Sequence, residues 1–174
     1  MIAFTEIRGR FFRAVPESRL DQPLAAPSPE SAGRYHRPGQ PALYMSPQIE
    51  WARIAVSGYM REDGLPRSIV PLTVCGALVL DQRNAEACSA AGIDRDSSNL
   101  PWRKPLADGA TPPSWANSDI ARSLPCDGII DRSRHIRDGW HLILFRWNEP
   151  GSPQVEVAGD PVDVEIKTTG PKWS

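Results

Sequence analysis

The chain of 174 residues lacks any long apolar run, and no uninterrupted hydrophobic stretch approaches the roughly 20 residues that a membrane-spanning helix requires. Its opening residues, MIAFTEIRGR, lack the apolar segment of a secretory signal peptide. Neither sign of charge dominates, since 20 Lys and Arg stand against 21 Asp and Glu. No global field would therefore attract nucleic acid or an anionic membrane. We expect a soluble, cytoplasmic protein that contacts neither directly.

Cysteine is scarce, and the common signatures of cofactor and metal binding are missing. The three cysteines are widely spaced and form no CxxC pair, which is typical of reduced structural thiols: Cys75, Cys88 and Cys126. The three histidines are too scattered to predict a metal site. The chain has no GxGxxG after a strand, no P-loop, no HExxH and no GxSxG motif. These absences leave no standard cofactor motif to point to a function.

Proline and glycine are abundant, by contrast, with 18 and 13 copies, and six tryptophans accompany them. This composition predicts a folded globule with many turns and long connections rather than a helical bundle. The length suits one domain with a real core, so we expect a single domain over residues 1–174 of mixed α and β structure.

Hydrophobic patterning in the first half predicts alternating strands and helices. Residues 2–15 favour an opening strand, and residues 42–45 a short buried one. A helix should follow, with Ser46 as its N-cap and Pro47 in the first helical position. The next apolar stretch, RSIVPLTVCGALVLD, predicts one or two strands, and a short Ala-rich helix after it should end at Gly92.

The second half predicts a long loop and then a hairpin. Residues 94–117 are polar and rich in proline, and the tryptophans within them favour an ordered loop over a linker. A helix capped at Asn117 or Ser118 should lead to the strand IIDRS, a basic turn and the strand WHLILFRW. The C-terminal extension, residues 150–174, alternates weakly and could add edge strands before fraying.

The most informative stretch is GRYHRPGQPALYMSPQIEWARIA, residues 33–55. It combines Gly-Arg-aromatic, Pro-Gly, Pro-Ala-x-Tyr and a helix. FFRAV precedes it, and GALVLD, AEACSAAGID and GIIDRSRHIRDGWHLILF follow. In this order and spacing the pieces resemble the RES domain family over about residues 8–146, the NAD-using toxins of RES–Xre toxin–antitoxin modules.

The resemblance implies a compact α+β domain with a mixed, mostly antiparallel sheet and flanking helices, like that of ADP-ribosyltransferases. It also implies that NAD is the substrate. Family members either degrade NAD or transfer its ADP-ribose to a protein such as phosphoribosyl pyrophosphate synthetase. A cognate Xre-like helix-turn-helix antitoxin would cover the active site, and the acceptor of ADP-ribose would be a second protein partner.

Two arginines are candidates to bind the pyrophosphate of NAD. Arg34 occupies the arginine of the family's Gly-Gly-Arg, where a guanidinium can make paired hydrogen bonds to phosphate oxygens. Arg13 would supply a second cation from the first strand. Because a shift of one residue turns a strand side chain to the other face, Arg10 replaces Arg13 if the strand lies in the other phase. The alternatives are a surface arginine in a loop for Arg34 and an outward-facing strand arginine for Arg13.

Three aromatic or imidazole side chains complete the candidate NAD-binding set. Tyr44 matches the family's tyrosine and suits packing on the nicotinamide ring, although a buried core tyrosine fits the pattern too. Tyr35 and His36 stand where the family often has Trp-Asn. His36 could hydrogen-bond a ribose or phosphate, but an ordinary loop histidine is equally compatible with the sequence.

The catalytic glutamate is where this chain departs from the family, which usually places it eleven residues after the tyrosine. That position is Ala55 here, and a one-residue deletion moves it only to Ile54. Glu50 lies one turn earlier on nearly the same helical face and is the candidate catalytic carboxylate. The alternative is a first-turn carboxylate that only complements the helix dipole.

Ser133, in DRSR, falls on the family's serine and is the second catalytic candidate, suited to orient the nicotinamide amide or a ribose hydroxyl. Serines at hairpin mouths are also commonly solvated, and Ser114 and Ser118 are weaker rivals. Because the usual glutamate is absent, we expect ADP-ribosyl transfer to a protein rather than fast NAD breakdown. A catalytically inactive, RES-like binding domain is the alternative of a different class.

Overall fold

The computed structural model describes residues 1–164, and its elements within that range are seven strands, five α-helices and one short 3-10 helix, Glu17–Arg19. The strands are β1 (Thr5–Pro16), β2 (Leu43–Met45), β3 (Arg67–Asp81), β4 (Gly128–Arg132), β5 (Trp140–Leu144), β6 (Gln154–Val157) and β7 (Val162–Asp163). The helices are α1 (Ile49–Asp63), α2 (Ala85–Ala91), α3 (Arg95–Asn99), α4 (Arg103–Ala107) and α5 (Ser114–Ser123).

All seven strands belong to one sheet with the central order β1-β3-β4-β5-β2. The long strand β3 pairs antiparallel with β1 along nearly its whole length. Its other edge carries β7, then β6, and finally β4, which is parallel to it. The helices α2 to α5 lie in the connection between β3 and β4. The predicted α+β class with a mixed, mostly antiparallel sheet is confirmed.

Two hydrophobic clusters form the core. One joins the inner side chains of β1, β2, β3 and β5, among them Phe11, Leu72 and Leu142. The other packs α2 and α5 against the sheet and includes the ring of Tyr35. Since burying a large apolar side chain contributes about 1.5–3 kcal/mol, these clusters provide most of the driving force for folding.

The first helix begins later than predicted, and the prediction of Ser46 as its N-cap was wrong. The backbone N–H and C=O of Ser46 both bond to Phe12 of β1, at 2.8 and 2.7 Å. The hydroxyl of Ser46 lies 2.7 Å from Nδ1 of His141. These bonds hold residue 46 extended beside the sheet, so α1 starts at Ile49 with Gln48 as its N-cap.

The segment 94–123 also differs from the prediction of a long loop and a helix capped at residue 117 or 118. It contains the short helices α3 and α4, and α5 already begins at Ser114. Asn117 uses its side chain to bond Asp94, next to α3, rather than to cap its own helix. The loop prediction missed these short helices because Asp94, which caps α3, lies in a segment without periodicity.

Other predictions are confirmed. The Ala-rich helix is α2, which Asn84 caps and which ends at Gly92 in a left-handed conformation. RSIVPLTVCGALVLD is one strand, the two tryptophans of the 94–117 segment are buried, and β6 and β7 are edge strands of the tail. The remainder of the tail, residues 165–174, lies outside the described residues. The three cysteines are free thiols. No helix within residues 1–164 is long and apolar enough to span a membrane.

Candidate active site

A cleft of about 360 Å³ opens between helix α1 and the strands β1 and β2. The loop residues 32–36 and the β4–β5 hairpin complete its wall. This volume is within the range of small-molecule sites. Six of the predicted site residues line it, together with Ala55 where the family glutamate was expected: Arg13, Arg34, Tyr35, His36, Tyr44 and Ser133. Residues that are far apart in sequence therefore come together as the resemblance implied, and Glu50 alone is not among them.

Arg13 is held in the cleft by backbone carbonyls rather than by a carboxylate. Its Nε donates to the carbonyl of Pro23 at 3.2 Å, and Nη1 donates to that of Tyr44 at 3.1 Å. Burial, with Arg19 nearby, lowers the pKa of the Arg13 guanidinium to about 10, so it remains a cation at neutral pH. Arg10 is exposed and does not line the cleft. The strand phase therefore selects Arg13.

Arg34 is a buried cation, and none of its hydrogen bonds is to a carboxylate. Its Nη1 donates to the carbonyls of Ser98 and Leu100, both at 2.7 Å. Its Nη2 is also buried, but has no hydrogen-bond partner in the described part of the chain. An unsatisfied buried donor is costly and rare in native proteins, so it marks a place where a ligand acceptor is expected. This is the observation that fits a phosphate-bearing substrate.

The glycine of the Gly-Arg pair is required by close packing. A Cβ on Gly33 would lie 2.5 Å from Cε1 of His36 and 2.7 Å from Oη of Tyr44. Gly33 donates its N–H to the carbonyl of His36 at 3.0 Å, which closes a tight turn around the intervening residues. Trp115 of α5 fixes the turn from outside, since its Nε1 donates to the Gly33 carbonyl at 2.8 Å.

His36 and Tyr44 form one hydrogen-bonded unit. The Tyr44 hydroxyl accepts the N–H of Tyr35 at 3.1 Å and lies 2.7 Å from Nδ1 of His36. Burial, aided by Arg122 and Arg13, lowers the pKa of His36 to about 4, so the imidazole is uncharged at neutral pH. The Tyr44 hydroxyl and Nδ1 of His36 share this hydrogen bond, and burial raises the pKa of Tyr44 above the ordinary value. The unit fixes the Tyr44 ring at the cleft wall.

Tyr35 is fully buried and donates its hydroxyl hydrogen to Oδ1 of Asp131. Burial and the adjacent Asp131 raise the pKa of Tyr35, which keeps the phenol protonated as the donor. Its ring belongs to the second core cluster. The Tyr35 hydroxyl is therefore engaged by Asp131 and not free to donate to a ligand.

Asp131 is the site residue that sequence reasoning missed. Within residues 1–164 it is the one Asp or Glu that lines the cleft. Burial raises its pKa to about 6, against the opposing effects of the Tyr35 hydrogen bond and of Arg34, Arg134 and Arg132. A signal was present in the sequence: in the predicted strand IIDRS, Asp131 precedes Ser133 by two residues, a spacing that predicts both side chains on one face.

The structure does not bring Glu50 into the cleft. Its side chain is 62% exposed and forms an ion pair with Arg53 at 2.9 Å on the outer surface of α1. Ala55, by contrast, lines the cleft. The helix therefore presents no carboxylate where the family has its glutamate.

Ser133 lines the cleft and caps the turn of the hairpin. Its Oγ accepts the N–H groups of Ile136 and His135 at 3.1 and 3.3 Å. Its hydroxyl hydrogen has no acceptor among the hydrogen bonds of the described residues. The rivals Ser114 and Ser118 are completely buried, and donate to the carbonyls of Arg34 and Trp115. Neither rival lines the cleft.

Comparison with known proteins assigns the family. The family model named RES domain matches residues 10–167, and the chain therefore belongs to the RES domain family. Among solved structures, it is similar to a chain of the M. tuberculosis MbcT–MbcA toxin–antitoxin complex, with a TM-score of 0.65 at 16% sequence identity. The match covers 92% of this chain and 86% of the other, so the two share a fold over nearly their full lengths. Comparison with curated proteins gives no significant match.

Proposed function

We propose that this protein is the toxin of a bacterial type II toxin–antitoxin module and uses NAD as an ADP-ribose donor to modify a cellular protein. The observation that carries the proposal is the buried, unpartnered Nη2 of Arg34 in a cleft that also contains Arg13 and Tyr44. Family membership and the shared fold with a chain of a toxin–antitoxin complex support it.

The cleft has the charge that a dinucleotide needs. Arg13 and Arg34 are both fixed through backbone carbonyls, so neither cation is neutralised by a protein carboxylate bonded to it. Two guanidinium groups together match the two negative charges of a pyrophosphate. Because their anchoring bonds already hold them in place, little side-chain entropy is lost when they bind the substrate.

The reaction breaks the bond between the ribose anomeric carbon and the nicotinamide nitrogen. The bonding electron pair passes to the nicotinamide, which leaves uncharged, and the ribose develops the positive charge of an oxocarbenium-like state. The acceptor nucleophile bonds to the anomeric carbon and gives up its proton. In this proposal Tyr44 packs on the nicotinamide face, and its hydrogen bonds to His36 and the Tyr35 N–H keep its ring fixed. The hydroxyl hydrogen of Ser133 is available to orient the nicotinamide.

Transfer to a protein is favoured over rapid NAD degradation because α1 offers Ala55 in place of a glutamate. A helix glutamate at that point could activate water or phosphate as a general base. Without this glutamate, transfer to a protein is impaired less than NAD degradation, because the acceptor's own side chain is the nucleophile. The acceptor and a helix-turn-helix antitoxin of the Xre type, which would cover the cleft, are the proposed partners. Phosphoribosyl pyrophosphate synthetase is the first acceptor to examine.

Labelled NAD distinguishes these activities. Purified protein is incubated with NAD labelled in its adenylate half and with a cleared bacterial lysate, and label is followed in protein and in free ADP-ribose. We expect labelled protein. Rapid release of free ADP-ribose without labelled protein would show that the protein degrades NAD instead of transferring its ADP-ribose. Absence of both, and of growth arrest on expression, would indicate an inactive binding domain.

A pair of arginines on the same strand provides a matched control. Arg13→Ala removes a cation from the cleft, whereas Arg10→Ala removes an exposed one from β1. We expect Arg13→Ala to lose labelling and growth arrest, and Arg10→Ala to retain both. Circular dichroism and thermal unfolding of each variant exclude a folding defect. Equal activity of the two variants would contradict the assignment of the cleft.

A further inference from the structure

We propose that Asp131 is the catalytic carboxylate of this cleft and acts from strand β4 in place of the glutamate that α1 lacks at Ala55. This inference rests on the proposed function, because it assigns a residue to the cleavage of the NAD glycosidic bond. The inference names the carboxylate that would support catalysis in the cleft. Asp131 was not among the residues that the family pattern supplied.

The first support is position. Asp131 is the one carboxylate among the cleft-lining residues in the described part of the chain. It lines the cleft together with Ser133, which follows two residues later, just past the end of β4. Its Oδ1 is occupied by the Tyr35 hydroxyl, while no protein donor of residues 1–164 forms a hydrogen bond to Oδ2. One carboxylate oxygen is thus held by the protein and the other remains for a ligand.

The second support is a buried hydrogen-bond chain that ends at Asp131. Asn117 Nδ2 donates to Ser98 Oγ at 2.8 Å, and Ser98 Oγ donates to Gln82 Oε1 at 2.5 Å. Gln82 Nε2 then donates to the Tyr35 hydroxyl at 3.3 Å, and that hydroxyl donates to Asp131. Every donor is oriented toward the carboxylate. The bonds therefore polarise one another in the direction that stabilises its negative charge.

The burial of this chain argues that it serves the site. The four donors are Asn117, Ser98, Gln82 and Tyr35, and each is at most 4% exposed. A fully satisfied buried polar network is expensive relative to apolar packing, and it rigidifies the group at its end. Ser98 of α3 also contacts the cation of the site, since its carbonyl accepts Nη1 of Arg34. The carboxylate and the cation are therefore positioned by one element, α3.

The chemistry requires a group of this kind. As the nicotinamide leaves, positive charge accumulates on the ribose, and a fixed carboxylate is worth most against charge that develops only in the transition state. Oδ2 of Asp131 would accept a hydrogen bond from a ribose hydroxyl, which becomes a stronger donor in that state. In this role Asp131 contacts the substrate, whereas Tyr35 and Gln82 are positioning residues.

Asp131→Asn is the discriminating variant, because asparagine keeps an acceptor for Tyr35 and loses only the charge. Nicotinamide release from NAD is measured in the presence of cleared lysate, since it reports transfer and degradation alike. Isothermal titration calorimetry gives the Kd for NAD separately. Glu156→Gln, an exposed change on β6, is the charge-matched control, and Glu50→Gln tests the competing carboxylate. Thermal unfolding checks that each variant is folded.

We expect Asp131→Asn to lower kcat by about 100-fold or more, with KM and Kd within about threefold of wild type. Tyr35→Phe should lower kcat by about tenfold with an unchanged Kd, since it removes one bond to the carboxylate. Glu156→Gln and Glu50→Gln should match the wild type. If the wild type releases nicotinamide and Asp131→Asn does so at a similar rate, Asp131 is not catalytic and the proposed function stands. If the wild type releases none, both proposals fail.

Discussion

The ionised side chain of Asp131 should destabilise the fold, and Asp131→Asn should therefore stabilise the protein at neutral pH. In the folded chain, burial raises the pKa of this carboxyl from an ordinary 3.8 to about 6. The folded state consequently retains the proton over a pH range in which the unfolded state has lost it. The contribution of this carboxyl to the free energy of unfolding of the wild type is therefore greatest below about pH 4 and is lost as the pH rises through about 6.

The magnitude follows from the shift. About two pKa units correspond to roughly 3 kcal/mol, because each unit is worth about 1.4 kcal/mol. Contact of the carboxylate with solvent in the cleft reduces this, so we expect on the order of 2 kcal/mol. Tyr35, whose pKa burial and Asp131 raise, stays protonated over this range. His36 and His141, whose pKa values burial lowers to about 4, titrate in both proteins and largely cancel in the difference.

Urea unfolding of wild type and Asp131→Asn between pH 4 and pH 8 measures this difference directly. The variant should gain stability relative to wild type as the pH rises from about 4 to 7, and the gain should then level off. Glu156→Gln should give a difference that is small at every pH. A difference for Asp131→Asn that does not change with pH, or a loss that grows toward neutral pH, would refute the argument that the ionised carboxylate is held at a cost.

Three further predictions concern the cleft walls. Gly33→Ala should cost about 1–3 kcal/mol in urea unfolding, because its Cβ would overlap the His36 ring; Gly58→Ala, which meets nothing within 4 Å in α1, should instead gain about 0.5–1 kcal/mol. Tyr44→Phe should release His36 Nδ1 from its partner and raise the imidazole pKa in NMR titration, and it should relieve growth arrest; an unchanged pKa would contradict the hydrogen-bonded unit. Ala55→Glu should increase NAD degradation relative to protein labelling, since it restores a carboxylate on the helix wall, and an unaltered ratio would show that this position does not set the outcome.

Asp131 combines a stability cost with a catalytic role in these predictions. A buried charge that weakens the fold is kept when the site uses it, and stability and activity then change in opposite directions on mutation. The buried hydrogen-bond chain makes this tolerable, because it supplies the Tyr35 donor that an isolated buried carboxylate would lack. A variant that is both more stable and less active would be direct evidence of that arrangement.

The local features of the fold were available from the sequence. The strand pattern of residues 67–81, the end of α2 at Gly92 and the burial of the tryptophans all follow from short-range propensity and hydrophobic periodicity. The order of motifs from Arg13 to Ser133 also sufficed to indicate the family and most of the cleft. The absence of a glutamate at position 55 is likewise a fact of sequence alone.

The tertiary structure decided where carboxylates and donors lie. Ser46 looked like a helix cap, but its pairing with Phe12, which is 34 positions away in the chain, keeps it extended. Glu50 had the correct helical face by spacing and nevertheless faces solvent. The Asp131 hydrogen-bond chain joins residues 82, 98, 117 and 35, whose separations along the chain give no local signal. Propensity and periodicity act over a few residues, whereas the charge state and partner of a side chain depend on which distant segments pack against it.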